Sequence, residues 1–87
     1  MPSVTGTISK VNVGSDGDVC CVVINQSTGG NTTKLLWSYV TQDDTAENRV
    51  LHASWLAMVR DAIKHNLTVR LAHDSGSALA TLIELQS

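Results

Sequence analysis

Phenylalanine is absent from this chain, and its aromatic residues are limited to two tryptophans and one tyrosine. A core of stacked rings is therefore excluded, and Val, Leu, Ile and Ala have to fill it. Charge is sparse as well: 16% of residues are charged, and six basic against eight acidic side chains leave a net charge of about −2. Lys and Arg form no cluster. Without one, the phosphate-neutralising surface that nucleic acids require is missing, which argues against a nucleic-acid partner. No apolar run approaches a membrane span, which argues against membrane insertion. Cys20 and Cys21 are the chain's two cysteines. Adjacent in a strand, they point to opposite faces, are poorly placed to bridge each other, and read as small apolar residues. They are too few for a disulfide framework, and no spaced ligands accompany them to make a metal site.

What remains is 87 residues with an apolar fraction of 43%, enough for one folded domain spanning 1–87. A domain this small has a modest core of its own, so association with copies of itself is a natural supplement. Met1 to Lys10 lacks the charged-then-apolar pattern of a signal peptide. The chain as written therefore reads as cytoplasmic, or as secreted if a leader has been removed.

Helical periodicity is confined to one long stretch, Asp44 to Asn66. Leu51, Trp55, Met58, Val59, Ala62 and Ile63 recur at steps of three and four and predict one buried stripe. Arg49, His52, Arg60, Asp61 and Lys64 are expected to face water or a neighbouring subunit. Thr45 or Asp44 can cap the first turn, Glu47 suits the positive end of the dipole, Lys64 and His65 suit the negative end, and Asn66 can stop the helix.

Short strands surround that stretch. Ser3–Val13 is rich in β-branched residues, but its alternation slips, because Val4, Gly6 and Ile8 share one face while Val11 and Val13 fall on the other. A bulge near Ser9–Lys10 would restore a single inward face, and Gly6 suggests a bend or a close backbone approach. Gly14-Ser15-Asp16-Gly17 reads as a turn and Asp18–Asn25 as a second strand, apolar on both faces. Gln26–Thr33 reads as a polar loop. Lys34–Val40 follows as a strand with Leu35, Trp37 and Tyr39 on one side and Leu36, Ser38 and Val40 on the other. After the helix come Leu67–Ala72, a turn at His73–Ser77, and Ala78–Leu85. The order β-β-β-α-β-β, mostly β with one helix, is that of the five-stranded Greek-key barrel called the OB-fold. A flat sheet with one helix across it is the alternative.

The chemistry-bearing residues do not assemble into a catalytic or metal motif. His52, His65 and His73 lack the four-residue spacing of a helical zinc pair and read as surface or capping residues. His73-Asp74-Ser75 holds triad residue types at consecutive positions, which cannot form triad geometry by themselves. Gly29-Gly30 lacks the Lys and Ser/Thr of a phosphate loop, and the three Asn-x-Ser/Thr sequons lie in stretches where they arise by chance. No cofactor is implied, and the chain is not expected to be an enzyme. Trp37 and Tyr39, two apart on one strand, are either core or an aromatic platform for a sugar or a base; the acidic balance favours the sugar.

Taken together, VTGTISKVNVGSDGDVCCVVIN, the helix from Asn48 to His65 running into HNLTVRLAHD, and the closing ALATLIEL resemble the B subunits of pentameric bacterial toxins, the subtilase-cytotoxin type above all. The resemblance implies a ring of five with helices around a central pore, an outer face that binds sialylated glycans, and an enzymatic A subunit as a further partner. A Ser just before the first Gly contacts the sugar in that family, and Thr5 stands at the matching position with its hydroxyl kept. The expected reading is a non-catalytic, carbohydrate-binding subunit with Thr5, Trp37 and Tyr39 at the ligand. The alternatives are a structural or adaptor homo-oligomer without a small ligand and an OB-type binder of single-stranded nucleic acid.

Overall fold

In a computed structural model, residues 2–26 and 29–86 are described, and they form five strands and one helix. The elements are β1 (Ser3–Val13), β2 (Val19–Gln26), β3 (Gly30–Ser38), α1 (Ala46–His65), β4 (Thr68–His73) and β5 (Ala80–Gln86). The strands make one antiparallel sheet in the order β3-β2-β1-β4-β5. The chain is thus mostly β with one helix, in the element order the sequence predicts. The two edge strands approach each other at an isolated parallel bridge between Leu35 and Leu79, where the Leu35 N–H donates to Ala78 O at 2.8 Å.

Irregularities bend the sheet where the sequence pattern slips. In β1 the register jumps between Ile8 and Lys10, leaving Ser9 as the extra residue, and Val11 then packs on the same core as Val4 and Ile8. Val13, the last residue before the turn, is 46% exposed. Gly6 sits where a Cβ would overlap the carbonyl of Asn25, so β2 crosses β1 at a distance that only glycine permits. A second shift, opposite Cys20 and Cys21, skips Leu36 in β3. That bulge explains why Leu36, Trp37 and Ser38 are buried in succession, where strict alternation predicts two faces. β3 also starts at Gly30 instead of Lys34 and stops at Ser38 instead of Val40. Its end is set by Gln42, whose side-chain oxygen accepts from the Ser38 N–H at 2.8 Å while its own N–H donates to Ser38 O at 2.9 Å. Ser27 and Thr28, in the predicted polar loop, lie outside the described residues.

The helix ends follow the sequence. Thr45 caps α1 by accepting from the Asn48 N–H at 3.1 Å, and Asn66 closes it in the left-handed conformation at φ 53°. The buried face is rotated from the predicted stripe. His52, Val59 and Ala62 are buried, and Trp55, Leu56 and Met58 pack against the core, whereas Leu51 and Ile63 are 46% and 42% exposed. His52, expected at the surface, is 3% exposed. The reason lies on the sheet: Trp37 of β3 and Tyr39 just beyond it offer an indole face and a phenol, and an imidazole can stack on the one and hydrogen-bond the other where a leucine could only pack. Strand β2 supplies the centre of the core, with Cys20, Val22 and Ile24 fully buried and Cys21 half-exposed on the other face. Both cysteines are free thiols, and burial first, then the neighbouring Cys21, pushes Cys20 up to about 11, which leaves it an inert core residue.

Candidate functional site

Among the described residues, two clefts stand out, one toward each end of the sheet. The larger opens where β2 parts from β1. The β1–β2 register begins at Thr7, opposite Asn25, whereas residues 3–6 of β1 are paired with β4. Into the space beside them opens a groove of about 560 Å³, lined by Ser3, Thr5, Gly6, Thr7, Asn25, Gln26 and Thr68. Hydroxyls stand at alternate positions 3, 5 and 7 along one strand, which puts them on one face. Two amides face them from β2 and a further hydroxyl from β4. None of the lining side chains is ionisable. The charges nearest in register are opposite Thr5, where Arg70 pairs with Glu84 at 3.2 Å; that arginine holds the Glu84 carboxyl below its usual range. Such a lining can donate and accept many hydrogen bonds to a neutral, hydroxyl-rich molecule.

The second cleft, about 240 Å³, is lined by Gly17, Trp37, Tyr39, Arg49, His52, Ala53 and Leu56. It is an aromatic assembly already engaged with itself. The His52 ring stacks on Trp37 with centroids 5.5 Å apart and meets Trp55 edge-on at 5.0 Å. Its Nδ1 shares a 2.7 Å hydrogen bond with the Tyr39 hydroxyl. The Trp37 indole N–H donates to Gly17 O at 3.0 Å, and the Arg49 guanidinium lies 4.6 Å from the centre of the Tyr39 ring. Arg49 itself is anchored by Asp44 at 2.8 Å and Asp18 at 3.3 Å, and Asp44 is held below its usual range by that arginine. Burial lowers His52, so the imidazole is kept neutral, and burial also raises the Tyr39 phenol.

The three predicted ligand residues are therefore not brought together. Thr5 is exposed in the polar groove. Trp37 lies opposite Cys20, which in turn lies opposite Val13, at the far end of β1. Eight residues of strand, roughly 26 Å, separate the Thr5 and Val13 levels. The strand does not present Trp37 outward, since it is 6% exposed with His52 against its face. Sequence reasoning missed the groove partners Ser3, Thr7, Asn25, Gln26 and Thr68, although the Ser-x-Thr-x-Thr alternation of β1 was visible. It also missed His52, whose spacing with Trp55, Val59 and Ala62 is a regular 3-4-3 helix face.

Among the described residues no group of His, Cys, Asp and Glu is arranged to hold a metal ion, and no helix is long and apolar enough to cross a membrane. Compared with protein families, curated proteins and solved structures, the chain matches none of them.

Proposed function

We propose that the chain is a non-catalytic carbohydrate-binding protein that assembles as a ring, like the toxin B subunits it resembles, and that Thr5 lies at its sugar site. The observation that carries this reading is the groove around Thr5, in which hydroxyl and amide side chains line some 560 Å³ without a single ionisable group. Sugar recognition needs that chemistry: paired donors and acceptors that cost little to desolvate compared with charges. Trp37 and Tyr39 belong to a different role, holding α1 on the sheet.

The fold we infer is a five-stranded Greek-key barrel. The Leu35–Ala78 hydrogen bond between the edge strands supports it, as do the bulges in β1 and β3 that curl the sheet. Ring assembly, with five copies as the resemblance implies, is supported by apolar side chains left outside the core, Val50 at 72% and Leu51 at 46% exposure on α1, and Val40 at 79% just beyond β3. An enzymatic partner subunit docking on that ring is part of the same reading.

A glycan array of sialylated and neutral sugars, with Thr5→Ala as control, tests the site. One hydroxyl contact is worth about 0.5–1.5 kcal/mol, so the variant should bind roughly two- to tenfold more weakly with unchanged assembly. Equal affinity of wild type and variant for every bound glycan removes Thr5 from the site. A purely structural homo-oligomer is the second reading, favoured by the exposed Val50 and Leu51; light scattering showing a ring, with an array showing no glycan, would select it.

A further inference from the structure

The register of the sheet aligns a row of polar residues through the groove. Thr7 of β1 is opposite Asn25 of β2, which is opposite Asn31 of β3. On its other side Thr7 is opposite Thr68 of β4, which is opposite Gln86 of β5. Directly paired residues in antiparallel strands put their side chains on the same face. The row Asn31–Asn25–Thr7–Thr68–Gln86 thus crosses all five strands on the outer face and alternates with inward neighbours such as Ile24 and Val69, both fully buried. Its three middle members line the groove, and the outer two extend it to both edges of the sheet. All five are uncharged, three amides and two hydroxyls, and each can both donate and accept.

From this arrangement we propose that the ligand is a linear, uncharged oligosaccharide laid across the strands, and not a single terminal sugar. The inference rests on the carbohydrate reading of the groove and deepens it. Strands in a sheet lie about 4.8 Å apart, so four steps follow roughly 19 Å of the curved outer face. That step is comparable with one pyranose ring in a linear chain, so the four intervals of the row match about four sugar units. A sugar hydroxyl is matched by an amide or a hydroxyl without the desolvation cost of an ion. On the Thr5 side of the row the flanking charges are already neutralised within the protein, while on the other side Lys10, opposite Val23, stands one row away on the same face. Arg70 bonds Glu84, and the Gln86 side-chain nitrogen donates to the other Glu84 oxygen at 3.1 Å, which leaves the Gln86 carbonyl oxygen to accept. An anionic terminal sugar finds no unpaired cation on this row.

Titration calorimetry with malto-, cello-, manno- and xylo-oligosaccharides of one to six units, alongside sialyllactose, tests the inference. One linear series should gain at least tenfold in affinity from the monosaccharide to the tetrasaccharide and then level off. Asn31→Ala and Gln86→Ala, at the two ends of the row, should each weaken the tetrasaccharide about threefold or more while leaving the disaccharide unchanged. Their melting temperatures identify any variant whose loss is one of folding, and the length series on the wild type stands independently of them. Length-independent binding, or preference for sialyllactose over every neutral chain, overturns the linear-ligand inference and leaves the sugar-binding reading intact. No binding by any of these sugars or on the array overturns both.

Discussion

Acid is the perturbation that this structure makes most informative, because one buried imidazole sits at the seam between helix and sheet. His52 is 3% exposed and is surrounded by Trp37, Trp55 and the Tyr39 hydroxyl. The charged group lining the same cleft is the Arg49 guanidinium over the Tyr39 ring, with its own carboxylates Asp44 and Asp18 bound to it. A proton added to His52 therefore enters a dry aromatic site that already has a cation at its rim. Burial lowers the folded-state pKa below the ordinary histidine value of 6.5. Above that value both folded and unfolded chains hold His52 neutral, and its packing contributes in full. As pH falls below it the unfolded chain binds the proton first, so stability declines until the folded pKa is also passed. For one proton the slope is at most about 1.4 kcal/mol per pH unit. Urea denaturation at intervals between pH 7.5 and 5 measures it for the wild type and for His52→Gln, which cannot titrate. The variant is expected to be less stable at pH 7.5 and to have a flatter pH dependence. The lowered carboxyls of Asp44 and Glu84 act in a different window, since their contribution is lost only as pH falls into the acid carboxylate range. Both tryptophans of the chain touch His52, and an imidazolium against an indole quenches its emission, so native-state fluorescence should report the same titration. Identical slopes for the wild type and His52→Gln would refute the argument.

Three further outcomes follow from the packing. Trp55→Ala removes a half-buried ring that rests on His52 and the core, and should cost about 2–4 kcal/mol by denaturant titration; near-native stability would mean that the ring contributes little to the helix–sheet seam. Gly6→Ala drives a methyl group into the Asn25 backbone and should cost roughly 1–3 kcal/mol or prevent folding, whereas a melting curve like the wild type's would show that β2 can withdraw freely. Val50→Glu places charge on the outer face of α1, where Val50 is 72% exposed, so light scattering should show smaller particles with unchanged circular dichroism if this face joins copies of the chain.

Much of the architecture could be read from residue order because local rules set it. Thr45, Glu47 and Asn66 mark the helix, the slipped alternation of β1 marks its bulge, and Gly6 marks a close approach. The helix phase was not legible. A period of three to four fits the stripe through Leu51 and the stripe through His52 almost equally, and only the indole of Trp37 and the phenol of Tyr39 favour the second. The consecutive burial of Leu36, Trp37 and Ser38 was hidden for a similar reason, since a bulge in β3 depends on its pairing with β2. The groove was half visible. Hydroxyls at 3, 5 and 7 share a face by alternation alone, but Asn25, Asn31, Thr68 and Gln86 join them through a register that no local pattern encodes.

That register also bears on how the chain is made. β1 lies at the centre of the sheet and is shared between two neighbours, pairing with β2 from Thr7 onward and with β4 from Ser3 to Thr7. Its first half leaves the ribosome well before its partner, residues 68–72, which are more than sixty residues further along the chain. Throughout elongation the β1–β2–β3 meander can form, while Ser3–Gly6 presents a bare strand edge. Pairing between segments so far apart in sequence closes late, because the loop between them must be ordered first. A nascent or partly unfolded chain therefore offers its open edge to other chains, and crowded synthesis is when this protein is most exposed to misassembly.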